Sequence, residues 1–325
     1  MALSKSNRSP GSLITVIPVY NGEAYLKATL ESVASQTRPP DRLVILDDGS
    51  TDQTEDIVRS FKDIPCEWHP NPENIGLFPN LNQALSWAKQ ADYFHLLLAD
   101  DLIAPDFLEV SEQLLLDQKK GTFTWCDTQW IDTHGNPVGE PVPDTQSAGY
   151  TFCKKRFLQR ESELQTISVG SFLIKSGYES IGCDFRTDMP QVADCVFFGE
   201  LASRAPKILH LPRPLCQIRT HATNMTHHNI HNLSAWVTDE WVAMQSISQL
   251  IEEPFWCRWL REQKLRCLYA ARCCVKEQWM KPENADYAQK IRRASRITVG
   301  CLHDFLGRAV VSVRDRFKGP TLPRS

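Results

Sequence analysis

Short apolar runs alternate with amphipathic segments along the first third of the chain. Residues 13–19 and 43–46 are continuous apolar runs rich in β-branched side chains, which is the pattern of strands buried on both faces. In residues 24–36 apolar side chains instead recur every three or four positions, as on one face of a helix. The alternation continues through the strand-like residues 66–69 and 93–98. It predicts an α/β fold, in which a Rossmann-like, mostly parallel sheet carries helices on both faces.

Particular residues mark where the predicted helices begin and end. Pro39-Pro40 ends the first helix, because proline lacks the N–H that a helix needs. Ser50 followed by Gln53 is a capping-box pattern and predicts the start of the second helix. Pro79 fits the first position of the third helix.

The pattern changes after residue 120. A strand is predicted at residues 123–131 and another at 168–174, with a proline-containing loop at 139–150 between them, and most of the sequence after residue 233 is helical. We therefore expect three regions: a flexible N-terminal tail of residues 1–11, a domain of residues 12–232 with halves 12–120 and 121–232, and a helical C-terminal region of residues 233–325.

Composition narrows the class of protein. The 325 residues include 36 Lys or Arg and 39 Asp or Glu, so the net charge of −3 argues against a nucleic-acid partner bound through charge alone. Apolar runs fall short of a membrane span, and the first residues lack the apolar core of a signal peptide, so we expect a cytoplasmic protein. The eleven cysteines form no Cys-x-x-Cys pair, and we expect small buried side chains without disulfides.

Acidic pairs follow two of the predicted strands. Asp47-Asp48 ends the second strand and Asp100-Asp101 the fourth, and open α/β sheets bind ligands beyond the carboxyl ends of their strands. Adjacent carboxylates repel one another unless a cation or hydrogen-bond donors compensate, and oxygen ligands favour Mg²⁺ or Mn²⁺. The pattern indicates a metal-diphosphate or nucleotide site. The alternative interpretation is that these acids only form turns and helix caps.

Four segments in register resemble the donor half of the family-2 glycosyltransferases, which have the GT-A fold. The segments are Pro18-Val19-Tyr20-Asn21, Leu46 to Asp52, Asn74-Ile75-Gly76 with Asn82 to Leu85, and Ala99-Asp100-Asp101. The resemblance extends over about residues 12–225. It implies a nucleotide-diphosphate-sugar donor, a divalent ion (Mn²⁺ or Mg²⁺) and inversion at the anomeric carbon.

The resemblance also implies roles for individual residues. Asp47 and Asp48 would contact the nucleoside, and Asp100 and Asp101 the metal, although Leu98 stands where the family's Asp-x-Asp motif has its first acid. The nucleotide-sugar site implied by the matching segments consists of Pro18, Val19, Tyr20, Asn21, Asp47, Asp48, Asn74, Gly76, Asn82, Asp100 and Arg219.

The second half of the domain resembles the family less closely. Residues 181–185 resemble the Gly-Gly-Phe-Asp segment that precedes the acceptor site, and Asp194 aligns with the catalytic base of the Glu-Asp pair, here without its Glu. Residues 217–221 resemble the Tyr-Arg-x-His segment, which implies that Arg219 contacts phosphate and His221 the diphosphate or metal. Three further histidines could suggest zinc, but surface histidines in a flexible loop are the favoured interpretation: His227, His228 and His231.

The implied function is an inverting transfer of a sugar to a hydroxyl of a glycan or lipid-linked acceptor, with Asp194 as general base. A catalytically inactive nucleotide-sugar or glycan-binding module is one alternative, because Leu98 and the missing Glu depart from the motifs. A sugar nucleotidyltransferase is another, but the loop after the first strand has a single Gly and no Lys until Lys27.

The C-terminal third is basic. Residues 233–325 hold 16 Lys or Arg against 10 Asp or Glu, and Lys290, Arg292, Arg293 and Arg296 lie in one segment. Residues 308–317 interleave valines with arginines. This predicts peripheral contact with the inner face of a membrane; the alternative is a helical subdomain with solvated charges.

Overall fold

The structure is a computed structural model that describes residues 11–176, 182–221 and 232–318, with side chains up to residue 312. It separates into two compact units, each discontinuous in sequence. Met1–Lys154, Ile167–Phe185 and Arg204–Thr220 belong to the first unit, and Lys155–Thr166, Arg186–Ser203 and His221–Ser325 to the second. The predicted boundaries at residues 120 and 232 divide the chain into consecutive segments, whereas each compact unit combines segments from several parts of the chain.

One mixed sheet forms the centre of the first unit. Among the described residues it has nine strands, ordered β3-β2-β1-β4-β8-β6-β9-β5, with β7 also paired to β9. Strands β1 to β4 are parallel, and β8 runs antiparallel to both β4 and β6, so β6 has the direction of β4. The strands are β1 Leu13–Val19, β2 Arg42–Asp47, β3 Cys66–Pro70, β4 Tyr93–Leu96, β5 Leu102–Ile103, β6 Phe123–Ile131, β7 Tyr150–Phe152, β8 Phe172–Lys175 and β9 Ile208–Arg219.

Helices cover this sheet because each buries one apolar face on it. They are α1 Leu26–Ala34, α2 Thr54–Ser60, α3 Leu77–Leu85 and α4 Phe107–Leu115, with short 3₁₀ turns at Ser86–Gln90 and Val169–Ser171. Leu26, Leu30 and Val33 of α1 are fully buried in the core that also contains Ile17 and Ile45. The mostly parallel sheet with helices is therefore confirmed.

The second unit is helical in its described residues. Its helices are α5 Lys154–Ser162, α6 Ala193–Arg204, α7 Asp239–Gln249, preceded by a π-helical turn at Ser234–Thr238, α8 Phe255–Met280, α9 Ala285–Val299 and α10 Cys301–Lys318. Trp236, Trp241, Tyr269 and Ile291 belong to its core, which confirms a helical C-terminal region. Within the described residues, every helix is too short or too polar to cross a bilayer.

Two predicted helix starts are wrong. Helix α2 begins at Thr54, and the Ser50 hydroxyl, instead of capping it, accepts a hydrogen bond from the Asn21 N–H. Helix α3 begins at Leu77, so Pro79 is its third residue rather than its first. For α2 a contact to the loop after β1 occupies the predicted cap, and a local pattern does not contain that contact.

All eleven cysteines are unpaired, as predicted. Six are buried, among them Cys126 and Cys216, but Cys153 and Cys301 are exposed, so the prediction of burial is wrong for these two. Cys153 lies between β7 and α5 and Cys301 begins α10, so their exposure depends on how these segments pack, which spacing along the chain does not determine.

Candidate functional site

The loops after β1 and β2 are joined into one surface at the carboxyl edge of the sheet. Val19 and Asp47 are partners in the register of these strands. Beyond them the Asn21 N–H donates to Ser50 Oγ at 2.8 Å, and the Thr51 N–H donates to Asn21 Oδ1 at 2.9 Å. Asn21 has φ 51°, a left-handed conformation that asparagine tolerates better than most residues. The two predicted motifs therefore meet in space.

A second set of bonds continues this junction. The Gly22 N–H donates to Thr54 Oγ1 at 2.8 Å, and the Glu23 N–H donates to Asp52 Oδ2 at 2.9 Å. Tyr20, just before them, leaves 52% of its surface exposed. The loops form a rigid edge from which the Tyr20 ring projects, which suits a ring that stacks on a ligand.

Asp48 holds a third loop in place. It is 2% exposed, and its Oδ1 accepts the Asn71 side-chain amide at 3.0 Å and the Ile75 N–H at 2.9 Å. Its Oδ2 accepts the Gly76 N–H at 2.9 Å. Three donors converge on one buried carboxylate, so Asp48 positions the loop that carries Asn74 and Gly76.

Asp47, the neighbour of Asp48, accepts fewer hydrogen bonds. It is 4% exposed and accepts the Ser50 N–H at 3.1 Å. Asp47 accepts one backbone donor where Asp48 accepts three donors, although the same role was expected of both acids. The contact of either acid with a nucleoside stays a prediction.

Asn82 joins α3 to a distant segment. Its side-chain amide donates to the Phe185 carbonyl at 3.0 Å, and its Oδ1 accepts the Phe185 N–H at 2.7 Å. Nearby, Gly76 has φ 93°, which favours glycine, and its N–H also donates to Asn74 Oδ1 at 2.9 Å. Asn74 and Asn82 therefore organise loops of the site, and their contact with a sugar stays a prediction.

Asp101 is a buried carboxylate in the loop between β4 and β5. It is 1% exposed, its Oδ1 accepts the Arg219 N–H at 3.0 Å, and its Oδ2 has no hydrogen-bond partner among the described residues. Burial and the adjacent Asp100 charge raise the pKa of Asp101 well above its ordinary value, and Arg219 only partly opposes this. A buried carboxylate oxygen without a donor, beside a second carboxylate, fits a divalent cation.

This pair is an incomplete ligand set by itself. The described residues contain no group of three His, Cys, Asp or Glu side chains placed to hold a metal ion. Mg²⁺ and similar ions commonly take one or two carboxylates and complete their coordination with substrate phosphates. Asp100 and Asp101 therefore fit an ion that arrives with a diphosphate.

Arg219 and Thr29 fix the loop that carries these acids. The 4% exposed Arg219 donates from Nε to the Asp100 carbonyl at 3.0 Å and from Nη1 to the Asp132 carbonyl at 2.9 Å. Its guanidinium lies over the Tyr25 ring, 4.8 Å from the centroid. From the other side Thr29 Oγ1 donates to the Ala99 carbonyl at 2.8 Å. Arg219 thus positions the acidic loop, and its contact with phosphate stays a prediction.

Two polar residues that the sequence pattern did not identify hold this region: Thr29 of α1 and Gln36, which lies two residues after the end of α1. Besides the Thr29 contact, the Gln36 side chain donates to the Ala104 carbonyl at 2.7 Å and accepts the Leu108 N–H at 3.1 Å, so it connects the end of α1 to the start of α4. Both residues are buried. Polar residues on an otherwise apolar helix face were the signal that could have identified them.

The predicted acceptor-side residues lie in or next to the second unit. Asp194 is in the first turn of α6, where its Oδ1 accepts the Cys195 N–H at 2.8 Å. Burial raises the pKa of Asp194, although backbone hydrogen bonds partly oppose this. His221 lies two residues after the end of β9 and belongs to the second unit. Ile181 and the histidines at 227, 228 and 231 lie outside the described residues.

Comparisons with known proteins agree with this geometry. The model of glycosyl transferase family 2 matches residues 14–163. A glycosyltransferase of Rickettsia typhi is 32% identical over 142 residues, which are 43% of this chain and 43% of that protein. The match thus spans less than half the length of that curated relative.

Two solved structures share the fold. Staphylococcus aureus TarS (residues 1–349), solved in complex with UDP-GlcNAc, superposes with a TM-score of 0.64 at 17% identity, covering 96% of this chain and 93% of that one. The mannosyltransferase PcManGT of Pyrobaculum calidifontis, solved with GDP-Man and Mn²⁺, gives 0.55 at 16% identity, covering 95% and 88%. With the sheet order, the interlocked strand-end motifs and the match to the family model, residues 14–163 belong to glycosyl transferase family 2, and the chain has the GT-A fold.

Proposed function

We propose that the protein is an inverting glycosyltransferase that moves a sugar from a nucleotide-diphosphate sugar to a hydroxyl of a glycan or lipid-linked acceptor. The observation that carries the proposal is Asp101, whose buried Oδ2 lacks a donor beside Asp100 at the carboxyl edge of a family-2 domain. Such an oxygen needs a cation or a proton, and a cation bound with a diphosphate satisfies it.

The donor binds across the joined loops of the first unit. Asp47 accepts from the nucleoside, Tyr20 provides an exposed ring, and Asp48 and Asn82 keep the surrounding loops in position. The bound donors of the two structural neighbours, UDP-GlcNAc and GDP-Man, support this class of ligand.

Asp100 and Asp101 would hold Mn²⁺ or Mg²⁺, with His221 as the further proposed ligand. The neighbour solved with Mn²⁺ supports this cofactor class. When bound, the ion neutralises charge on the departing nucleoside diphosphate. The chain itself supplies a fixed loop for it, because Arg219 and Thr29 hold the backbone of residues 99–101.

Asp194 is the proposed general base. Its carboxylate takes the proton of the acceptor hydroxyl while that oxygen forms a bond to the anomeric carbon from the face opposite the diphosphate. The bond from the anomeric carbon to the diphosphate oxygen breaks, and the electron pair leaves with the nucleoside diphosphate. Burial raises the pKa of Asp194, which makes its carboxylate a stronger base than an ordinary aspartate.

The experiment incubates the whole protein with a panel of nucleotide sugars, Mn²⁺ and an acceptor mixture, and follows release of nucleoside diphosphate. Binding is measured in parallel by thermal shift, where ligand at about 100 times its dissociation constant adds roughly 2.7 kcal/mol. Donor binding with diphosphate release supports the proposal. Binding without turnover under all conditions identifies an inactive binding module, and pyrophosphate release from a nucleoside triphosphate identifies a nucleotidyltransferase.

The Asp101→Asn variant ties the activity to the observed site. It should lose turnover, while the exposed loop acid changed in Asp63→Asn serves as the matched control and should keep it. Equal turnover in the two variants would show that Asp101 is outside the active site.

A further inference from the structure

The last three helices of the second unit form a bundle with a defined polarity. His303 Nε2 contacts Gln263 Oε1 at 2.8 Å, and Arg308 Nη1 contacts Glu277 Oε2 at 2.6 Å, so α10 runs parallel to α8. Gly307 permits close contact, because a Cβ there would lie 2.7 Å from the Ala270 Cβ. Helix α9 connects the two and returns in the opposite direction. The start of α8, the end of α9 and the start of α10 therefore share one end of the bundle.

Large apolar side chains are exposed at that end. On α8, Trp256 and Trp259 are 62% and 55% exposed, and on α10 Phe305 is 68% exposed. We call this surface the apolar end and define it by Trp256, Trp259, Leu260, Ile297, Leu302 and Phe305. Large apolar side chains exposed in this number at one end of a bundle are uncommon on a surface that faces only water.

Helix α10 has the reverse of the usual amphipathic arrangement. Its acid Asp304 is 1% exposed and accepts hydrogen bonds from Ser295, Arg296 and Arg308 inside the bundle. The outward positions 302, 305, 306, 309 and 310 are all apolar and exposed, at the spacing of one helix face. The polar groups are thus paired inside, and the apolar stripe faces outward.

Positive charge accompanies the apolar end. Residues 255–310 contain 12 Lys or Arg and 5 Asp or Glu, although several of these cations pair with acids outside this range, such as Arg261 with Glu253 and Lys264 with Glu163. Arg258 lies between the two tryptophans on α8, and Arg293 lies one turn before Ile297 on α9. Both are exposed, and neither forms an ion pair with another described residue. Tryptophan, leucine and phenylalanine beside arginine are the composition of protein surfaces that lie in the headgroup region of anionic bilayers.

We propose that the apolar end docks on an anionic lipid bilayer, with its aromatic side chains in the headgroup region and Arg258 and Arg293 against lipid phosphates. A second copy of the chain suits this surface less well, because a two-fold contact would bring the same excess of positive charge face to face. The proposal differs from membrane contact through residues 308–317, since Arg308 is paired with Asp304 and Glu277 inside the bundle. It holds whether or not the first unit has the proposed transferase activity.

The test is flotation of the full chain with vesicles of phosphatidylcholine alone or with about a third phosphatidylglycerol. Binding should require the anionic lipid and weaken at about 0.5 M salt, where charges are screened within a few ångströms. The double variant Trp256→Ser/Trp259→Ser should reduce partitioning at least about tenfold, since each ring loses its apolar burial. Trp130→Ser is the matched control, because Trp130 is also 50% exposed but lies in the first unit.

A charge variant tests the second half of the proposal. Arg258→Gln and Arg293→Gln should each lower partitioning onto the vesicles about fivefold, because each basic residue near an anionic membrane surface contributes about 1 kcal/mol. Lys27→Gln, an exposed cation of α1, should leave it unchanged. Absence of wild-type flotation with anionic vesicles overturns the proposal, as does equal loss in Trp130→Ser. A concentration-dependent dimer in lipid-free sedimentation that Trp259→Ser abolishes would assign the apolar end to a second copy instead.

Discussion

Asp48 and Asp47 should respond differently to the same conservative substitution. Asp48→Asn keeps one carbonyl oxygen but replaces the other by an NH₂ group. If the retained oxygen takes the place of Oδ1, it still accepts from Asn71 and Ile75, but the new amide then faces the Gly76 N–H, donor against donor. The charge that strengthened all three bonds is also lost.

The cost follows from those contacts. One hydrogen bond to a charged group contributes about 1.5–3 kcal/mol, and the two remaining bonds become neutral. Because Asn74 Oδ1 still accepts the Gly76 N–H, the loss is limited, and we expect about 3 kcal/mol of destabilisation. For a domain of this size that lowers Tm by roughly 6–12 °C.

Asp47→Asn is the internal control. Its carbonyl oxygen still accepts the Ser50 N–H, so we expect no more than about 1 kcal/mol of destabilisation. In the proposed donor site, however, the loss of charge at Asp47 should weaken nucleotide-sugar binding. Thermal unfolding and donor titration of the two variants therefore separate loop positioning from ligand contact.

Equal Tm values for the two variants would refute the loop-positioning role of Asp48. A stable Asp48→Asn variant with weakened donor binding would show that this carboxylate contacts the nucleoside, and that its three donors rearrange at little cost. Either result would also remove the reason for assigning the ligand contact to Asp47 rather than to Asp48.

Three further predictions concern the acids and the buried histidine. Chelator should abolish diphosphate release and Mn²⁺ should restore it in the wild type but not in Asp101→Asn; full activity in chelator would contradict a metal site. Asp194→Asn should lower kcat 10²–10⁴-fold with unchanged Tm and donor affinity. Because burial raises the pKa of Asp194, the acidic limb of the wild-type pH profile of kcat should lie above the ordinary aspartate pKa. Turnover of the variant within a few-fold of wild type would move the base to Asp184 or Asp188. Burial lowers the pKa of His95 to about 4, so as the pH falls the unfolded chain takes up this proton at a higher pH than the folded protein does. The free energy of unfolding should therefore fall by about 3 kcal/mol between pH 6.5 and pH 4. In His95→Gln, denaturant unfolding across this range should show a weaker dependence of this free energy on pH.

The local pattern was sufficient for the first four strands, the helices between them and the position of the acidic pairs. A buried parallel strand must be apolar along its whole length and a covering helix apolar on one face, so residues 13–19 and 24–36 carry these two periods in any context. The acids follow strands, and parallel strands end at one edge, so their convergence was predictable.

The sequence pattern did not predict strand β9, and the reason is physical. Ile208–Arg219 contains His210, Pro212, Arg213 and Pro214, which are unusual in a central strand. The register with β6 shifts where Asp127 meets Pro214, and this irregularity accommodates the proline. Only the pairing partner shows that such a sequence can be a strand.

Roles within the site were also decided by distant contacts. Arg219 reaches the Asp101 loop across 118 residues and Asn82 reaches Phe185 across 103, so neither role is present in the local motif. The exposed stripe of α10 is a similar case, because its period predicts a helix with one apolar face but not which face is buried. The sequence by itself determined the elements, the family and the edge where the chemistry lies, since these depend on short-range pattern. Which acid positions a loop, which keeps an unpaired oxygen and which apolar face stays outside depended on packing between segments far apart in the chain.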